Sequence, residues 1–270
     1  MIPPAASFFL LRECNLRCKF CFATYRDVRG RLPLVDALRV IDALKEAGLS
    51  KLTLVGGEPT LYPDIGTVLR HARDIGLTTS IVTNGARLDA LLDTQAGTID
   101  WVGLSVDSAD ERIQAALGRG TGTHVANSIR LAERCHRAGL KVKLNSVITR
   151  LQADEDMSSL VRTIRPLRWK TFQVLPVQGQ NDGKVEDLLI SDEAYETGVR
   201  RHAHLNPVSE SNDLMRNSYV LVDPLGRFQQ NAPGGHTYSA PILEVGVQAA
   251  WDSLTFDAVA FDERGGVYNW

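Results

Sequence analysis

Cysteine, long apolar runs and an excess of one charge are all scarce in this sequence, and each absence excludes a class of protein. The 270 residues include four cysteines, three of them within eight positions, so a disulfide-stapled secreted domain is not expected. The apolar run at residues 8–11 is too short for a membrane span or a signal peptide, and no lipidation motif is present. The formal net charge of −2 gives no overall attraction to nucleic acid or anionic lipid. We therefore expect a soluble cytoplasmic protein that binds neither a membrane nor nucleic acid.

What the sequence does contain is a regular alternation of β-rich and helical segments. The predicted strands lie at residues 7–11, 51–55, 78–82, 101–106, 141–148 and 169–177. Helical patterns lie between them, such as 34–47 and 61–75, each ending at a glycine. Six β-then-α units predict an α/β fold with parallel strands, either a full or partial barrel or a doubly wound sheet.

The pattern changes at about residue 178. We expect a loop at 179–184, a helix at 191–204 and a hairpin that turns at 224–226. No repeat or low-complexity linker separates the two parts. Residues 1–177 are therefore predicted to be the barrel core, and 178–270 a C-terminal extension in the same compact domain.

The three clustered cysteines have the spacing C-x3-C-x2-C and follow the first predicted strand. Cys14, Cys18 and Cys21 would lie where barrel enzymes place their active sites. A structural zinc site would need a fourth cysteine or histidine nearby, and none of the six histidines has a suitable spacing. Cys135 lies in a helical pattern and is predicted to be a buried helix residue. On a four-iron cluster, three thiolates would leave one iron open for another ligand; the alternative is a coincidental trio of structural cysteines.

The segment CNLRCKFC resembles the signature of the radical S-adenosylmethionine (SAM) enzymes, including the aromatic Phe20 before the last cysteine. The resemblance implies a partial (βα)6 TIM-type barrel with a [4Fe–4S] cluster on Cys14, Cys18 and Cys21. In this family SAM chelates the open iron through its amino and carboxylate groups. An electron from the cluster then cleaves SAM to methionine and a 5′-deoxyadenosyl radical.

Further segments at the ends of the predicted strands resemble SAM-binding motifs of the same family. VGGEP at 55–59 is similar to the motif whose backbone and glutamate take the SAM amino group, here Gly56, Gly57 and Glu58. Asn84 and Ser105 would face the SAM ribose or carboxylate, and Arg119 is a candidate partner of the carboxylate. For these three residues, a plain role in a turn or a cap is the alternative.

Alternation along the fifth and sixth predicted strands places cations on the face opposite to the apolar one. Lys143 and Asn145 share such a face, as do Arg168 and Lys170, while Lys51 begins the second strand. Helices around a barrel cover the apolar face, so we expect these cations to point inward. The predicted strands carry no matching set of inward carboxylates, and unpaired buried charges are costly, so a bound triphosphate is favoured. The alternative, strongest for Lys51, is that they lie in water at the open bottom of the barrel.

Motifs along nearly the whole chain also resemble viperins, and specifically their short prokaryotic type. They are LSVDS (104–108), LGRG (117–120), KLNSVITR (143–150), RWKTFQ (168–173), GQN (179–181), MRNSYVLVD (215–223), ILEVGV (242–247) and RGGVYNW (264–270). Viperins dehydrate a ribonucleoside triphosphate, CTP in animals and CTP, UTP or GTP in prokaryotic forms. Their 3′-deoxy-3′,4′-didehydro product terminates chains made by viral polymerases, an antiviral or antiphage defence.

The viperin resemblance implies roles for individual residues. The deoxyadenosyl radical would take hydrogen from ribose C4′ and the 3′-hydroxyl would leave as water. Tyr219 would give or relay the last hydrogen, although an ordinary strand aromatic is an equal alternative. A flavodoxin- or ferredoxin-type protein would supply electrons. The residues that would hold the triphosphate and ribose are Lys51, Lys143, Asn145, Arg168 and Lys170.

Two departures from animal viperins bear on these expectations. Met1 almost directly precedes the first predicted strand, so no membrane-binding amphipathic helix is expected. In the predicted loop at 231–241, where animal viperins have a basic cluster, His236 is the sole candidate cation and is assigned to the substrate. Two other hypotheses stay open: a radical SAM enzyme acting on a substrate that is not a nucleotide, and a non-enzymatic sensor that carries the cluster.

Overall fold

Ten β-strands form one continuous sheet in the computed structural model of this protein, which describes residues 1–232 and 234–270. The strands are β1 (Ala5–Phe9), β2 (Lys51–Val55), β3 (Thr78–Thr83), β4 (Trp101–Ser105), β5 (Lys141–Ile148), β6 (Arg168–Gln173), β7 (Val208–Glu210), β8 (Leu221–Val222), β9 (Arg227–Ala232) and β10 (Gly235–Pro241). Their order is β10-β9-β8-β1-β2-β3-β4-β5-β6-β7. Strands β1 to β7 are parallel to one another, and β8 is parallel to β1. Within the described residues the two edge strands do not pair, so the sheet stays open.

Helices follow each of the first six strands on the outer side of the sheet. They are α1 (Leu34–Glu46), α2 (Ile65–Asp74), α3 (Leu88–Gln95), α4 (Glu111–Ala116), α5 (His124–Arg137), α6 (Ser158–Ile164) and α7 (Asp192–Arg201), and later α8 (Asn212–Met215), α9 (Ile242–Val245), α10 (Val247–Asp252) and α11 (Ala258–Glu263). Six parallel β/α units in an open sheet are a partial TIM-type barrel, which confirms the predicted fold class.

Alternation along the strands divides the sheet into an apolar outer face and a mixed inner face. Leu52 and Leu54 of β2, and Val142 and Leu144 of β5, belong to the large apolar core between sheet and helices. The residues between them turn toward the inside of the barrel, so the same period of two that builds the core also lines the interior. Cys135 is fully buried in α5, as predicted from its helical pattern.

Several predicted element bounds differ from the observed ones for physical reasons. The helix predicted to begin at residue 61 begins at Ile65, because Pro59 opens a 3₁₀ turn and Pro63 interrupts the helical pattern. The sixth strand ends at Gln173 rather than at 177, since its partner β5 ends at Ile148. The region 231–241, predicted to be a loop, contains the last two residues of β9 and all of β10, which pair as a hairpin; Pro233 lies outside the described residues.

The C-terminal part of the chain extends the sheet at both edges. β7 pairs with β6, whereas β8, β9 and β10 extend the sheet beyond β1. The predicted hairpin is present, with β8 and β9 antiparallel around residues 224–226. Among the residues that the structure describes, no helix is both long and apolar enough to cross a bilayer.

Candidate active site

A cavity of about 670 Å³ opens inside the partial barrel where the parallel strands end. Its upper part, which we call the rim, consists of the cysteine loop (12–24) and the turns at 56–60, 83–87 and 117–120. At and beneath its lower end lie the inward-facing cations of β2, β5 and β6, which we call the floor. All three clustered cysteines contribute to the lining of the cavity.

The cysteine loop is held in place by backbone contacts from two neighbouring turns. Gly57 donates its N–H to the carbonyl oxygen of Leu11, and a Cβ atom at Gly57 would lie 2.3 Å from the carbonyl oxygen of Glu13. Gly118, with a φ of +82°, approaches as closely: a Cβ atom there would lie 2.3 Å from the carbonyl oxygen of Arg17. These two glycines therefore let the turns pack against the loop at distances that a side chain would prevent.

The donor set at the cysteines fits an iron–sulfur cluster better than a single metal ion. Burial raises the pKa of the thiols of Cys14, Cys18 and Cys21, that of Cys21 to about 12, so a positive metal centre is needed to hold them as thiolates. No three potential ligands in the described part of the chain are arranged to surround one ion. A [4Fe–4S] cluster held by the three thiolates would be consistent with both observations.

Glu58 has a structural role beside its predicted contact with SAM. Its Oε1 accepts hydrogen bonds from the backbone and hydroxyl of Thr60 (3.0 and 2.6 Å) and from Thr83 Oγ1 (2.6 Å). Its Oε2 accepts one from the backbone N–H of Asn84 (2.8 Å), which leaves this oxygen with acceptor capacity toward the cavity. Glu58 thus joins the turns after β2 and β3.

Asn84 joins the turn after β3 to the cysteine loop. Its Nδ2 donates to Asn15 Oδ1 at 2.9 Å and lies 3.6 Å from the Cys14 sulfur, while its Oδ1 accepts from the N–H of Ala86. Asn181, which sequence reasoning did not assign, has a similar role on the other side, where its Nδ2 donates to the carbonyl oxygens of Phe20 and Leu175. Asn181 lies in the GQN segment, one of the motifs that resemble viperins, and this was the one feature of the sequence that could have indicated a role for it.

Arg119 lies at the rim in a buried ion pair with Asp107. Burial lowers the pKa of Arg119, but Asp107 and the Cys18 thiol outweigh this and the pKa is raised, so the guanidinium stays charged. Its guanidinium lies 5.5 Å from the centre of the Phe20 ring, a cation–π distance. Asp107 belongs to the LSVDS segment, but its pairing with Arg119 was not predicted. Ser105 also lines the cavity.

The floor gathers four predicted cations, but in two layers. Lys143 and Lys170 line the cavity together with Asn145, whose Oδ1 has no hydrogen-bond partner in the described chain. Lys51 and Arg168 do not reach the cavity, because they belong to the first residues of β2 and β6 and lie beneath it. Lys51 is nevertheless only 2% exposed, so the alternative of a solvated bottom rim is wrong for it.

Tyr268, near the C-terminus, separates the two layers. Its hydroxyl accepts hydrogen bonds from the Nζ atoms of Lys51 and of Lys143, the latter at 2.7 Å, and its ring lies 4.1 Å from the guanidinium of Arg168. Trp101 and Trp270 complete an aromatic enclosure around the Lys51 ammonium, with ring centres 4.9 and 5.2 Å away. Tyr268 lies in the RGGVYNW segment, but nothing in its local pattern indicated contact with Lys51 or Lys143.

Burial and mutual repulsion lower the pKa of every lysine in the floor. Burial is the largest cause throughout, and neighbouring cations add to it. The pKa of Lys51 is lowered to about 7, that of Lys170 to about 8, and that of Lys143 well below its ordinary value. The floor therefore disfavours the charged form of its lysines, because too little negative charge lies nearby to balance it.

One carboxylate does reach this region, from a strand that was not predicted. Glu210, at the end of β7, forms ion pairs with Lys170 and, at 3.9 Å, with Arg264, and accepts a hydrogen bond from Tyr219. Burial, then the neighbouring Glu210, raises the pKa of Tyr219 well above its ordinary value, so the phenol keeps its proton. β7 is a three-residue strand with no alternating pattern, which explains why Glu210 was missed.

The structure does not bring His236 to the cavity. Its ring packs against Phe22 and Tyr25, with ring centres 6.4 and 5.9 Å away, and its Nδ1 lies 3.2 Å from the Tyr238 hydroxyl. Burial lowers the pKa of His236 to about 4, so it is neutral near pH 7. Because His236 is neutral and lies outside the cavity lining, it cannot take the place of the basic cluster that animal viperins have in this segment. Of the other predicted residues, Phe20, Gly56, Gly57 and Tyr219 do line the cavity.

Comparison with protein families supports the interpretation of the rim. Residues 9–164 match the model of the Radical SAM superfamily. A protein of Streptococcus suis, SuiB bound to S-adenosylmethionine, has the same fold, with a TM-score of 0.70 at 19% identity over 98% of this chain and 67% of that one. The structure of native anSMEcpe with bound AdoMet and a peptide superposes with a TM-score of 0.65 at 16% identity, covering 83% of this chain and 73% of that one.

Curated relatives match over almost the full length of the chain. A protein of Flammeovirga pacifica named S-adenosylmethionine-dependent nucleotide dehydratase is 41% identical over all of this chain and 97% of its own length. A relative of the same name from Lacinutrix mariniflava is also 41% identical, and the chain spans 59% of its length. The S-adenosylmethionine-dependent nucleotide dehydratase RSAD2 of Oncorhynchus mykiss is 34% identical over 99% of this chain and 81% of its own length.

Proposed function

This chain belongs to the radical SAM superfamily and, within it, to the S-adenosylmethionine-dependent nucleotide dehydratases, and from that premise we propose that it is a viperin-type enzyme. Its reaction would remove water from a ribonucleoside triphosphate, CTP, UTP or GTP, to give the 3′-deoxy-3′,4′-didehydro analogue. That product would act as an antiphage chain terminator. The names of the relatives favour this proposal over a cluster-bearing sensor or a substrate that is not a nucleotide.

The observation that carries the triphosphate is the charge of the floor. Lys51, Lys143 and Arg168 form no ion pair with any described carboxylate, and Lys170 shares Glu210 with Arg264. Buried charges without partners are costly unless a ligand compensates them. Three phosphate groups would supply compact negative charge and several acceptor oxygens at this place.

The residues divide the proposed work between the rim and the floor. At the rim, Cys14, Cys18 and Cys21 would hold a [4Fe–4S] cluster. When bound, the cluster and SAM would supply the 5′-deoxyadenosyl radical that takes hydrogen from ribose C4′. The residues that would position SAM are Phe20, Gly56, Gly57, Glu58, Asn84, Ser105 and Arg119.

At the floor, Lys143 and Lys170 would contact the phosphates directly, since both line the cavity. Lys51 and Arg168 would act from below through their charge and through Tyr268, whose hydroxyl and ring they contact. Asn145 lies beside Lys170 in the paired strands, so its unpartnered oxygen is placed to accept a hydrogen bond from a ribose hydroxyl.

Tyr219 is the proposed source of the last hydrogen. It lines the cavity with its phenol protonated, and Glu210 fixes the orientation of the hydroxyl. The 3.5 Å contact between the Arg264 guanidinium and the ring holds the ring in place. Electrons would come from a flavodoxin- or ferredoxin-type donor.

The test is an anaerobic assay of the reconstituted protein with SAM, a reductant and each nucleoside triphosphate in turn. Formation of 5′-deoxyadenosine should rise with the preferred triphosphate, and a nucleotide product lighter by one water should appear. Turnover that is indifferent to every nucleotide would contradict the proposal.

A pair of lysine variants tests the role of the floor in the same assay. Lys143→Met should lose nucleotide stimulation but keep the visible absorbance of the cluster. Lys141→Met is the matched control, because Lys141 lies on the same face of the same strand but is exposed at its beginning. Equal behaviour of the two variants would contradict the assignment of Lys143.

A further inference from the structure

The cavity has a second polar wall, formed by β9, at the other end of the sheet from the cationic floor. β9 lies beyond β1 in the strand order, whereas β5 and β6 lie on the opposite side. Asn231 of β9 lines the cavity and is 5% exposed. The cavity near this wall is otherwise largely apolar, with Phe9, Phe22 and Leu221 among its lining residues.

Hydrogen bonding distinguishes Asn231 from most other amides of the cavity. Six amide side chains line it: Asn84, Asn145, Gln173, Gln180, Asn181 and Asn231. Four of them use both ends of the amide on protein groups. Only Asn145 and Asn231 have a buried oxygen with no partner in the described chain. An unsatisfied buried polar atom is costly, so each of the two marks a place where a ligand group would complete the hydrogen bonding.

The two unpartnered amides lie in different electrostatic surroundings. Asn145 is paired in register with Lys170 on β6, within the cationic floor. The side-chain oxygen of Asn231 accepts no hydrogen bond from a cation of the described chain, and its register partner across the hairpin is His236, which is neutral near pH 7. A phosphate has no proton to donate at that pH and gains nothing from an amide oxygen in a neutral wall. A neutral group with N–H donors fits this place.

We propose that Asn231 hydrogen-bonds the Watson–Crick edge of the substrate's nucleobase and thereby determines which triphosphate the enzyme prefers. The inference rests on the proposed function and deepens it. The anionic phosphates would lie over Lys143 and Lys170 in the cationic floor. The neutral base would lie against the neutral wall formed by β9. An amide carries both a donor and an acceptor and can therefore discriminate the edges of the bases.

The neighbouring candidate for this role, Gln180, is already occupied. Its Oε1 accepts from the hydroxyl of Thr24 (2.9 Å), and its Nε2 donates to the Asp27 carboxylate (2.7 Å). Gln180 therefore holds the cysteine loop against the loop after β6. To bind a base, Gln180 would have to break these hydrogen bonds, whereas the Asn231 side-chain oxygen has no hydrogen bond to the described chain that would have to be broken.

The experiment compares kcat/KM for CTP, UTP, GTP and ATP in the wild type and in Asn231→Leu, which keeps the volume and removes the hydrogen bonds. Loss of one base contact should reduce the ratio between the best and the next best triphosphate about tenfold. Asn127→Leu, on the exposed side of α5, is the matched control and should keep the wild-type ratio. Asn231→Ala is measured alongside, and thermal melting identifies which variants fold.

The ratio of kcat/KM values between triphosphates distinguishes loss of base recognition from a general structural effect. A variant that is merely loosened loses activity toward all four triphosphates in parallel, and an unchanged ratio in the Asn231 variants overturns the inference. A wild type that uses all four triphosphates equally also overturns it, while the proposed function stands. A wild type that no triphosphate stimulates overturns the proposed function itself.

Discussion

The rim and the floor of the cavity treat buried charge in opposite ways. At the rim, Arg119 is paired with Asp107, and Glu58 accepts four hydrogen bonds from protein groups. In the floor, Lys51 and Lys143 donate to the neutral hydroxyl of Tyr268, and their pKa values are lowered. The charged side chains Glu58, Asp107 and Arg119 of the rim are therefore balanced by protein groups, whereas Lys51 and Lys143 of the floor have no carboxylate partner in the described chain.

This difference distinguishes charged residues that stabilise the fold from charged residues that are proposed to bind the substrate. Removing a member of a complete network leaves its partner buried and unpaired, so stability falls. Removing a charge that was never balanced relieves repulsion, so stability rises while binding is lost. The following experiments are ordered from the largest expected effect to the smallest.

Substituting the cysteines breaks the rim most completely. In Cys18→Ala we expect no cluster absorbance, no bound iron and no 5′-deoxyadenosine, because two thiolates are too few to hold the cluster. Cys135→Ala is the control, since Cys135 is buried in α5 away from the cavity lining, and it should keep its iron content. Equal iron in both variants would contradict the assignment of the ligands.

Asp107→Asn tests the completeness of the rim. It leaves Arg119 buried without its carboxylate partner, and the loss of one member of a buried pair costs about 3–5 kcal/mol of unfolding free energy. Chemical denaturation of the metal-free protein measures this cost. The exposed pair of Arg165 and Glu133 provides the control, because Glu133→Gln should cost less than about 1 kcal/mol.

Lys143→Met tests the floor, and the expected sign is reversed. Removing an unbalanced buried charge should raise the unfolding free energy by roughly 1 kcal/mol. Triphosphate affinity should fall about tenfold to a hundredfold, because a hydrogen bond to a charged group is lost. A lower unfolding free energy together with unchanged triphosphate affinity would show that Lys143 stabilises the fold, as Arg119 does at the rim, and does not bind the substrate.

Tyr219→Phe removes no charge, although Glu210 loses one hydrogen bond, and its main effect should be on the chemistry. The variant should still form 5′-deoxyadenosine with nucleotide present, but the yield of dehydrated nucleotide per deoxyadenosine should fall about tenfold. Mass spectrometry of both products gives this ratio. An unchanged ratio would make Tyr219 an ordinary aromatic of the cavity wall.

The pH dependence of nucleotide affinity sharpens the comparison further. Lys51 and Lys170 have lowered pKa values of about 7 and 8, so both lose their protons as the pH rises from 7 to 9. A bound triphosphate favours the protonated lysines, and the complex therefore takes up protons over this range. We expect the nucleotide Kd to rise with pH, by less than tenfold per unit for each proton taken up. Calorimetry in buffers of different ionisation enthalpy counts these protons, and no uptake would contradict the inferred charge state of the floor.

Much of the rim could be predicted from the sequence because its residues are local. Cys14, Cys18 and Cys21 lie on one loop, so their spacing alone predicts a metal site, and the family resemblance adds the turn of Gly56, Gly57 and Glu58. Parallel strands then bring the ends of β1 to β4 to the same edge, which places Asn84 and Ser105 beside them. The period of two also predicted correctly that Lys143 and Lys170 point inward.

The remaining features depend on contacts between distant segments. Glu210 reaches Lys170 only because β7 pairs with β6, and Tyr268 reaches Lys51 across more than 200 residues of chain. His236 was assigned to the substrate because it is the sole candidate cation of its segment, but the hairpin packs it among aromatic rings. No local pattern records these distances.

The sequence by itself therefore determined the parallel β/α units, the cysteine cluster and the sign of the charge that faces inward, because periodicity and spacing are local properties of the chain. The choice of a partial barrel came from the resemblance to the radical SAM enzymes. Only the tertiary structure decided which of those charges are balanced, since pairing depends on which segments meet in space. That is why Arg119 is held by a carboxylate while Lys143 has no carboxylate partner among the described residues, and why none of them donates a hydrogen bond to the Asn231 side-chain oxygen.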